Sequence, residues 1–342
     1  MEENTLREYP ALNTLDCHAA CTSLAAMAAP ASSSDASSSD AARHLLDLSH
    51  DAIGSIFDGL ADPLQPVVAV ALSSTCLGLR TPLRAALEVL QQRHEKAVAL
   101  GCKAGKRLYD VQCRMTFVTL TCTDLRDAEE LNWHHRRLTA DDMATLATIL
   151  PWMPTLTRLN LSGNYFGDEG LQFLVESLGR GAVPSLKTLE LTAVEFGPVG
   201  AEALAAALRM GALPKLETLC TSNNKLGTQG VISLAPALKK LPALLHLDLG
   251  ECGIGDEGVS SLLDNLGKDE FKVLEKLYLD GNLLTDKGCA TVVAALKAGP
   301  LPAIEEFYHP DEASMITEHA SEEACAAVDA ALQKRLQAKR AH

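Results

Sequence analysis

From Leu131 to Phe307 two hydrophobic rhythms alternate along the chain, one with the period of a strand and one with the period of a helix. The short rhythm is Leu156-x-x-Leu159-x-Leu161, followed by Leu186-x-x-Leu189-x-Leu191, Leu216-x-x-Leu219-x-Thr221, Leu244-x-x-Leu247-x-Leu249 and Leu274-x-x-Leu277-x-Leu279. These copies begin 30, 30, 28 and 30 residues apart. Ile304-x-x-Phe307 opens another on the same beat, and Leu131-x-Trp133 with Leu138 fits the frame as a worn first copy. The long rhythm places apolar residues at i, i+3, i+4 and i+7, as in Leu171/Leu174/Val175/Leu178 and Val259/Leu262/Leu263/Leu266. Each copy therefore predicts a strand with one apolar face and a helix with one apolar stripe, which can be buried only against each other and against the next copy.

The polar positions keep the same beat. Gly170, Gly200, Gly230, Gly258 and Gly288 stand at the helix starts, where backbone from the neighbouring copy must come close. Asp168, Asp256 and Asp286 precede three of them by two residues, placed to cap free amides near a helix N-terminus. Asn164, Asn224 and Asn282 follow the last position of the LxL alternation by three residues and are expected to bond loop backbone of adjacent copies. Val194 and Cys252 interrupt that series.

Upstream the pattern changes. Residues 1–42, with the tract PASSSDASSSDA, contain little that would offset the entropy of ordering and are expected to be a disordered tail. Apolar spacing between Leu45 and about Cys102 predicts three short helices, carried by Ile53/Ile56/Phe57/Leu60, Val67/Val68/Ala71/Leu72 and Leu83/Leu87/Leu90. The alternation Phe117, Thr119, Thr121 predicts a strand within a connecting segment, 103–130. Residues 309–342 read as a final helix that shields the last copy.

The unit LxxLxLxxN followed by an amphipathic helix, over residues 131–308, resembles the ribonuclease-inhibitor type of leucine-rich repeat. That resemblance implies an α/β solenoid, a horseshoe with a parallel sheet on the concave side and helices on the convex side, preceded by a small all-α block. A second resemblance covers residues 43–102. The stretch Leu48-Ser49-His50-Asp51-Ala52-Ile53-x-x-Ile56-Phe57-x-x-Leu60, continuing to Ser74-Thr75-Cys76, looks like an F-box. The usual Leu-Pro opening is here Leu48-Ser49, and the aromatic after the cysteine is missing. The F-box family hooks the Skp adaptor of cullin-RING ubiquitin ligases, a role the resemblance would give to Ile53, Ile56 and Phe57. Three helices that merely cap the solenoid are the alternative. Together the resemblances imply a protein-protein interaction scaffold and not an enzyme, either a substrate adaptor of such a ligase or a regulator of another enzyme, as small-GTPase activators and ribonuclease inhibitors are.

Composition narrows the partners. Thirty basic against 44 acidic residues give a net charge of −14, which opposes nucleic-acid phosphate and anionic membrane surfaces. The chain has no apolar run of membrane-spanning length, no secretory leader is expected, and ten cysteines without a CxxC pair suit reduced thiols in a cytoplasmic or nuclear protein. Candidate chemistry thins out on inspection, so no cofactor and no metal are expected. Gly253-Ile254-Gly255-Asp256-Glu257-Gly258 matches a dinucleotide fingerprint, but two of its glycines are repeat glycines. Gly101–Arg107 lacks the spacing and the hydroxyl of a phosphate loop, and His134 and His135 are neighbours that a strand would point to opposite faces. Cys17, His18 and Cys21 are too few for a zinc site.

Outward strand positions remain as the functional candidates. In register these are Arg158, Asn160 and Ser162; Thr188, Glu190 and Thr192; Thr218, Cys220 and Ser222; His246, Asp248 and Gly250; and Lys276, Tyr278 and Asp280. Glu190, His246, Asp248, Tyr278 and Asp280 are the expected partner contacts, an aromatic anchor among carboxylates on the concave face.

Overall fold

The computed structural model describes residues 61–63, 65–66, 83–109, 115–118, 120–267, 269–298, 301–307 and 319–340. The tail, Cys17 to Cys21 and the hook candidates Ile53, Ile56 and Phe57 lie outside them. Two compact units divide at Ala99 and Leu100. In the first, helix α1 (Arg84–Ala104) begins, and His94 Nδ1 meets the Pro63 carbonyl at 2.7 Å.

The second unit carries the repeats. Strands β1 (Lys106–Tyr109) and β2 (Met115–Val118) form an antiparallel pair. Phe117 is thus in a strand, but Thr121 is not. It caps helix α2 (Cys122–Arg126) in a reciprocal box with Asp124, because a threonine three residues before an aspartate satisfies two helix-start amides at once. Thr139 and Asp142 repeat the device at α3 (Ala140–Ile149), where Lys103 also binds Asp142. A short 3-10 turn, Leu150–Trp152, follows.

Each period then delivers one three-residue strand and one helix. The strands are β3 (Glu130–Asn132), β4 (Arg158–Asn160), β5 (Thr188–Glu190), β6 (Thr218–Cys220), β7 (His246–Asp248) and β8 (Lys276–Tyr278). They form one parallel sheet in sequence order. The helices after β4 to β8 are α4 (Gly167–Gly179), α5 (Pro198–Arg209), α6 (Gly227–Leu238), α7 (Asp256–Leu263) and α8 (Asp286–Ala298). Register pairs Leu131, Leu159, Leu189, Leu219, Leu247 and Leu277 across the sheet, and all six are buried. Facing them are the helix leucines and valines, such as Leu174, Leu204, Leu234, Leu262 and Val292, so the core is an aliphatic slab between sheet and helices. Burying one such side chain stabilises by about 1.5–3 kcal/mol. At Thr221 a hydroxyl replaces a leucine, and its Oγ1 donates to the Asp248 carbonyl at 3.1 Å.

Two polar ladders hold the coils in register. The Asn164 amide oxygen accepts from Arg136 N and Leu138 N while its Nδ2 donates to the Trp133 and Leu161 carbonyls. Asn224 and Asn282 do the same one double period later. Where the series breaks, backbone takes over: Gly167 N donates to the Val194 carbonyl and Gly227 N to the Cys252 carbonyl. These two glycines reach that bond at φ of +64° and +60°, in the left-handed region that suits residues without Cβ.

The second ladder runs along the helix starts and differs from expectation. Asp168 caps not its own helix but the next one, accepting at Oδ1 from Gly197 N at 2.7 Å and Gly200 N at 2.8 Å. Asp256 likewise accepts from Thr285 N and Thr285 Oγ1, and Asp286 from Ser321 N. In the copy where a threonine replaces the aspartate, Thr228 Oγ1 accepts from Gly255 N at 2.9 Å. The last coil has only an isolated bridge, Lys276 to Glu306, in place of a seventh strand. Helix α9 (Glu322–Arg340) lies against α8 with Cys325, Val328 and Leu332 buried, and Arg335 donates to the Leu296 and Leu301 carbonyls.

Candidate functional site

Because the coils stack in register, the strand side chains that point away from the helices fall into straight rows. One row runs Glu130, Arg158, Thr188, Thr218, His246, Lys276, and the next Asn132, Asn160, Glu190, Cys220, Asp248, Tyr278. None of these is needed to fill the core.

Around β7 and β8 the rows converge into one polar cluster. Tyr278 pairs with Asp248 in the sheet register, and its hydroxyl donates to Glu306 Oε2 at 2.7 Å. Lys276 Nζ reaches the same oxygen at 3.0 Å. Burial opposes ionisation of Glu306, but the hydrogen bonds from Tyr278 and Lys276 and the Lys276 and His246 charges hold its carboxyl below the usual range. Conversely, burial together with Glu306 and Asp248 raises the Tyr278 phenol well above its ordinary value. Tyr278 therefore stays neutral with its ring held in place. Asp248 accepts at Oδ2 from Ser222 Oγ at 2.7 Å and at Oδ1 from Gly250 N at 3.0 Å. Asp280 is 8% exposed, and its Oδ1 is buried without a hydrogen-bond partner among the described residues. His246 Nε2 lies 3.9 Å from Glu275.

Glu190 belongs to a separate group two strands away. Asn160 Nδ2 donates to its Oε2, and Arg158 approaches at 4.0 Å. Burial, reinforced by Glu130 and partly offset by Arg158, raises the Glu190 carboxyl. Between the two groups sits Cys220. Its burial, with Asp248 and Glu190 on either side, pushes the thiol up to about 12.

The five expected contact residues thus split: Asp248, Tyr278 and Asp280 come together, His246 borders them, and Glu190 stands apart. Glu306, which fixes Tyr278 and Lys276, was not among them. Adding one 30-residue period to Lys276 leads to it. A further cleft of about 560 Å³ lies at the β3 edge, lined by Asp124, Asp127, Glu129, Glu130, Trp133 and Arg136 among others. The glycine motif at 253–258 runs into α7, and Gly255 N donates to Thr228 Oγ1 of the preceding coil. His134 Nδ1 turns to Asn132 Oδ1 at 2.6 Å, and no three metal-ligating side chains gather among the described residues. Nor is any described helix long and apolar enough to cross a membrane.

Repeating βα coils, strand leucines in register and an asparagine ladder define an α/β leucine-rich-repeat solenoid. Residues 153–175 and 240–263 match the family model described as leucine-rich repeat. No curated protein matches the chain. Among solved structures it is similar to the one described as a crystal structure of the TLR13–ssRNA13 complex, at 17% identity and a TM-score of 0.28. That match covers 60% of this chain, which spans about a third (32%) of the other.

Proposed function

We propose that the open face of the sheet is a docking surface for a protein partner, centred on Asp248, Tyr278 and Asp280, with Glu190 and His246 as outlying contacts. The observation that carries this reading is the arrangement at β7–β8: a neutral tyrosine braced by Glu306 beside carboxylates that the core does not use. A rigid aromatic loses little entropy on binding, and the polar groups around it supply orientation. Carboxylates in the rows, and a net charge of −14, favour a basic or neutral protein surface over a polyanion. No catalytic constellation is required for this role, and none is invoked.

The finer proposal is that the chain is a substrate adaptor of a cullin-RING ligase, with Ile53, Ile56 and Phe57 contacting Skp. It is supported by the F-box-like sequence alone. Affinity purification with mass spectrometry, on wild type and on Asp248→Asn/Tyr278→Ala/Asp280→Asn, tests the docking surface. Each specific partner is then rebuilt as a binary complex from purified components. Partners that bind the wild type and are lost from a triple variant with unchanged circular dichroism are expected. An identical partner set at equal affinity would remove the proposal. Charged replacements at Ile53, Ile56 and Phe57 should release Skp and cullin without releasing the sheet-face partner, and absence of both subunits from the wild-type complex would end the adaptor reading.

A further inference from the structure

The parallel sheet is covered at one edge and open at the other. Beyond β8, Leu277 N donates to the Glu306 carbonyl and Glu305 N to the Glu275 carbonyl, so the last coil covers that edge. At the other end β3 is the first strand of its sheet, and β1 and β2 pair only with each other. The ladder to β4 uses alternate residues of β3 and its flanks, with Arg158 N donating to the Glu129 carbonyl and Trp133 N to the Asn160 carbonyl. Residues between these turn their amide and carbonyl the opposite way. The backbone of Glu130 and Asn132 therefore faces outward, with no backbone partner among the described residues. Exposure agrees: both residues are exposed, whereas the same two positions of β5 to β8 are half-buried. Beside this edge lies the cleft of about 560 Å³. Leu120, Leu131 and Trp133 are its buried apolar lining, and the Trp133 indole, 1% exposed, has no acceptor for its Nε1 among the described residues. A buried N–H without an acceptor is costly. Asp127, Glu129 and Glu130 form the exposed rim. Glu130 meets Arg158 only at 3.9 Å, and Asp127 and Glu129 hold no cation among the described residues.

We infer that an extended segment of a partner protein, with lysine or arginine at alternate positions, adds to β3 as a further strand of the sheet. Its backbone pairs with the amides and carbonyls of Glu130 and Asn132. Its apolar side chains turn towards Leu131 and Trp133 in the cleft, and its cations lie along Asp127, Glu129 and Glu130. Main-chain bonds at a free sheet edge supply affinity whatever the sequence, and the surroundings of the alternate side chains supply the choice between sequences. Here the rim repels acidic segments. The aliphatic stems of lysine and arginine can rest on apolar surface while their charged heads reach carboxylates. This surface is independent of the one centred on Asp248, since β3 stands four strands from β7.

The test adds the capped peptide Lys-Val-Lys-Val-Lys to the deuterated, 15N-labelled full chain at constant ionic strength. Saturable shifts of the Glu130 and Asn132 amides are expected, and at ten times the dissociation constant their exchange with solvent should slow about tenfold. A twin with glutamate in place of every lysine should bind at least about tenfold more weakly. Two further twins carry backbone N-methyl groups, one on every valine and the other on every lysine. Because alternate residues of a strand present their amides to opposite edges, one of these should lose binding and the other keep it. Asp127→Asn/Glu129→Gln should weaken the lysine peptide about threefold or more. No saturable shift, equal binding of the glutamate twin, N-methyl twins that behave alike, or shifts centred on Asp248 instead of β3 would overturn the inference. So would shifts of the Glu130 and Asn132 amides that grow with protein concentration in the absence of peptide, since a second copy of the chain would then occupy the edge.

Discussion

Asp168 and Gly200 contend for one space: Asp168 Oδ1 accepts from the Gly200 amide at 2.8 Å and lies 2.7 Å from where a Gly200 Cβ would stand. Asp256 and Gly288 repeat the arrangement at 2.4 Å. The glycine at the start of these helices thus makes room for the carboxylate that caps them from the preceding coil.

Asp168→Ala is expected to cost about 1–2 kcal/mol, the usual loss of a helix cap. Gly200→Ala should cost about 1–3 kcal/mol, as Leu171 Cδ2 also lies 3.1 Å from the new methyl. The double variant should fall short of the sum by more than about 0.5 kcal/mol, because removing the carboxylate frees the space the methyl needs. Urea denaturation of all three checks this, and strict additivity would mean the two positions are not coupled.

The asparagine ladder makes a second, larger expectation. Asn224→Ala strands two amides, of Val194 and Phe196, and the Leu191 carbonyl, and leaves the Thr221 carbonyl only the Cys252 thiol, all in buried loop backbone. A loss on the order of 3–5 kcal/mol is expected. Val194→Ala at the equivalent place one coil earlier removes only packing and should cost about 1–2 kcal/mol. Unfolding midpoints in which Val194→Ala is the worse variant would contradict this account of how the coils are tied.

Periodicity made the coils legible because one buried leucine per strand and one apolar stripe per helix recur without a break, so the frame from Leu131 to Ile304 could be laid out from spacing alone. What spacing does not carry is direction across a coil boundary. Asp168 looked like a cap for its own helix, and only the stacking reveals that it serves the next one. Thr121 continued an apparent alternation after Phe117, but its hydroxyl is used as a cap, and Asp124 three residues on was the available signal. Tyr278 and Asp248 could be aligned from the repeat, whereas Glu306 lies in a coil too worn to form a strand, and its hold on the tyrosine depends on side-chain reach. Glu190 shares a row with Asp248 yet lies two strands away, where it joins a separate group with Asn160 and Arg158.

Acid should loosen the cap ladder in a defined window. Burial opposes ionisation of Asp256, yet hydrogen bonds from Thr285 and Gly288 and the charge of Lys287 win and lower its pKa below 3.8. A carboxyl lowered on folding contributes stability that is present above its unfolded value and lost as pH falls through the folded one. The difference in stability between wild type and Asp256→Asn should therefore be constant near neutrality and shrink below about pH 4. Urea midpoints measured from pH 7 to pH 2 test it, and a difference that grows on acidification would reverse the sign of the argument.

Cys220 offers a test of the electrostatics of the sheet face that needs no partner. Its thiol is half-buried between Glu190 and Asp248, and burial followed by those two charges lifts it to about 12. At pH 8 only about one thiol in ten thousand is then ionised, against about a quarter for a thiol of ordinary acidity. Alkylation by iodoacetamide proceeds through the thiolate, so Cys220 should react at least about a hundredfold more slowly than an ordinary exposed thiol. Asp248→Asn removes one of the two repelling charges while leaving an oxygen for Ser222, and should speed the reaction several-fold. Glu190→Gln should act in the same direction but more weakly, because burial first and Asp248 second dominate the shift. Peptide mass spectrometry resolves the rate at this one cysteine. Fast labelling of the wild type, or a rate indifferent to both substitutions, would show that the carboxylates flanking Cys220 do not set the potential of this face.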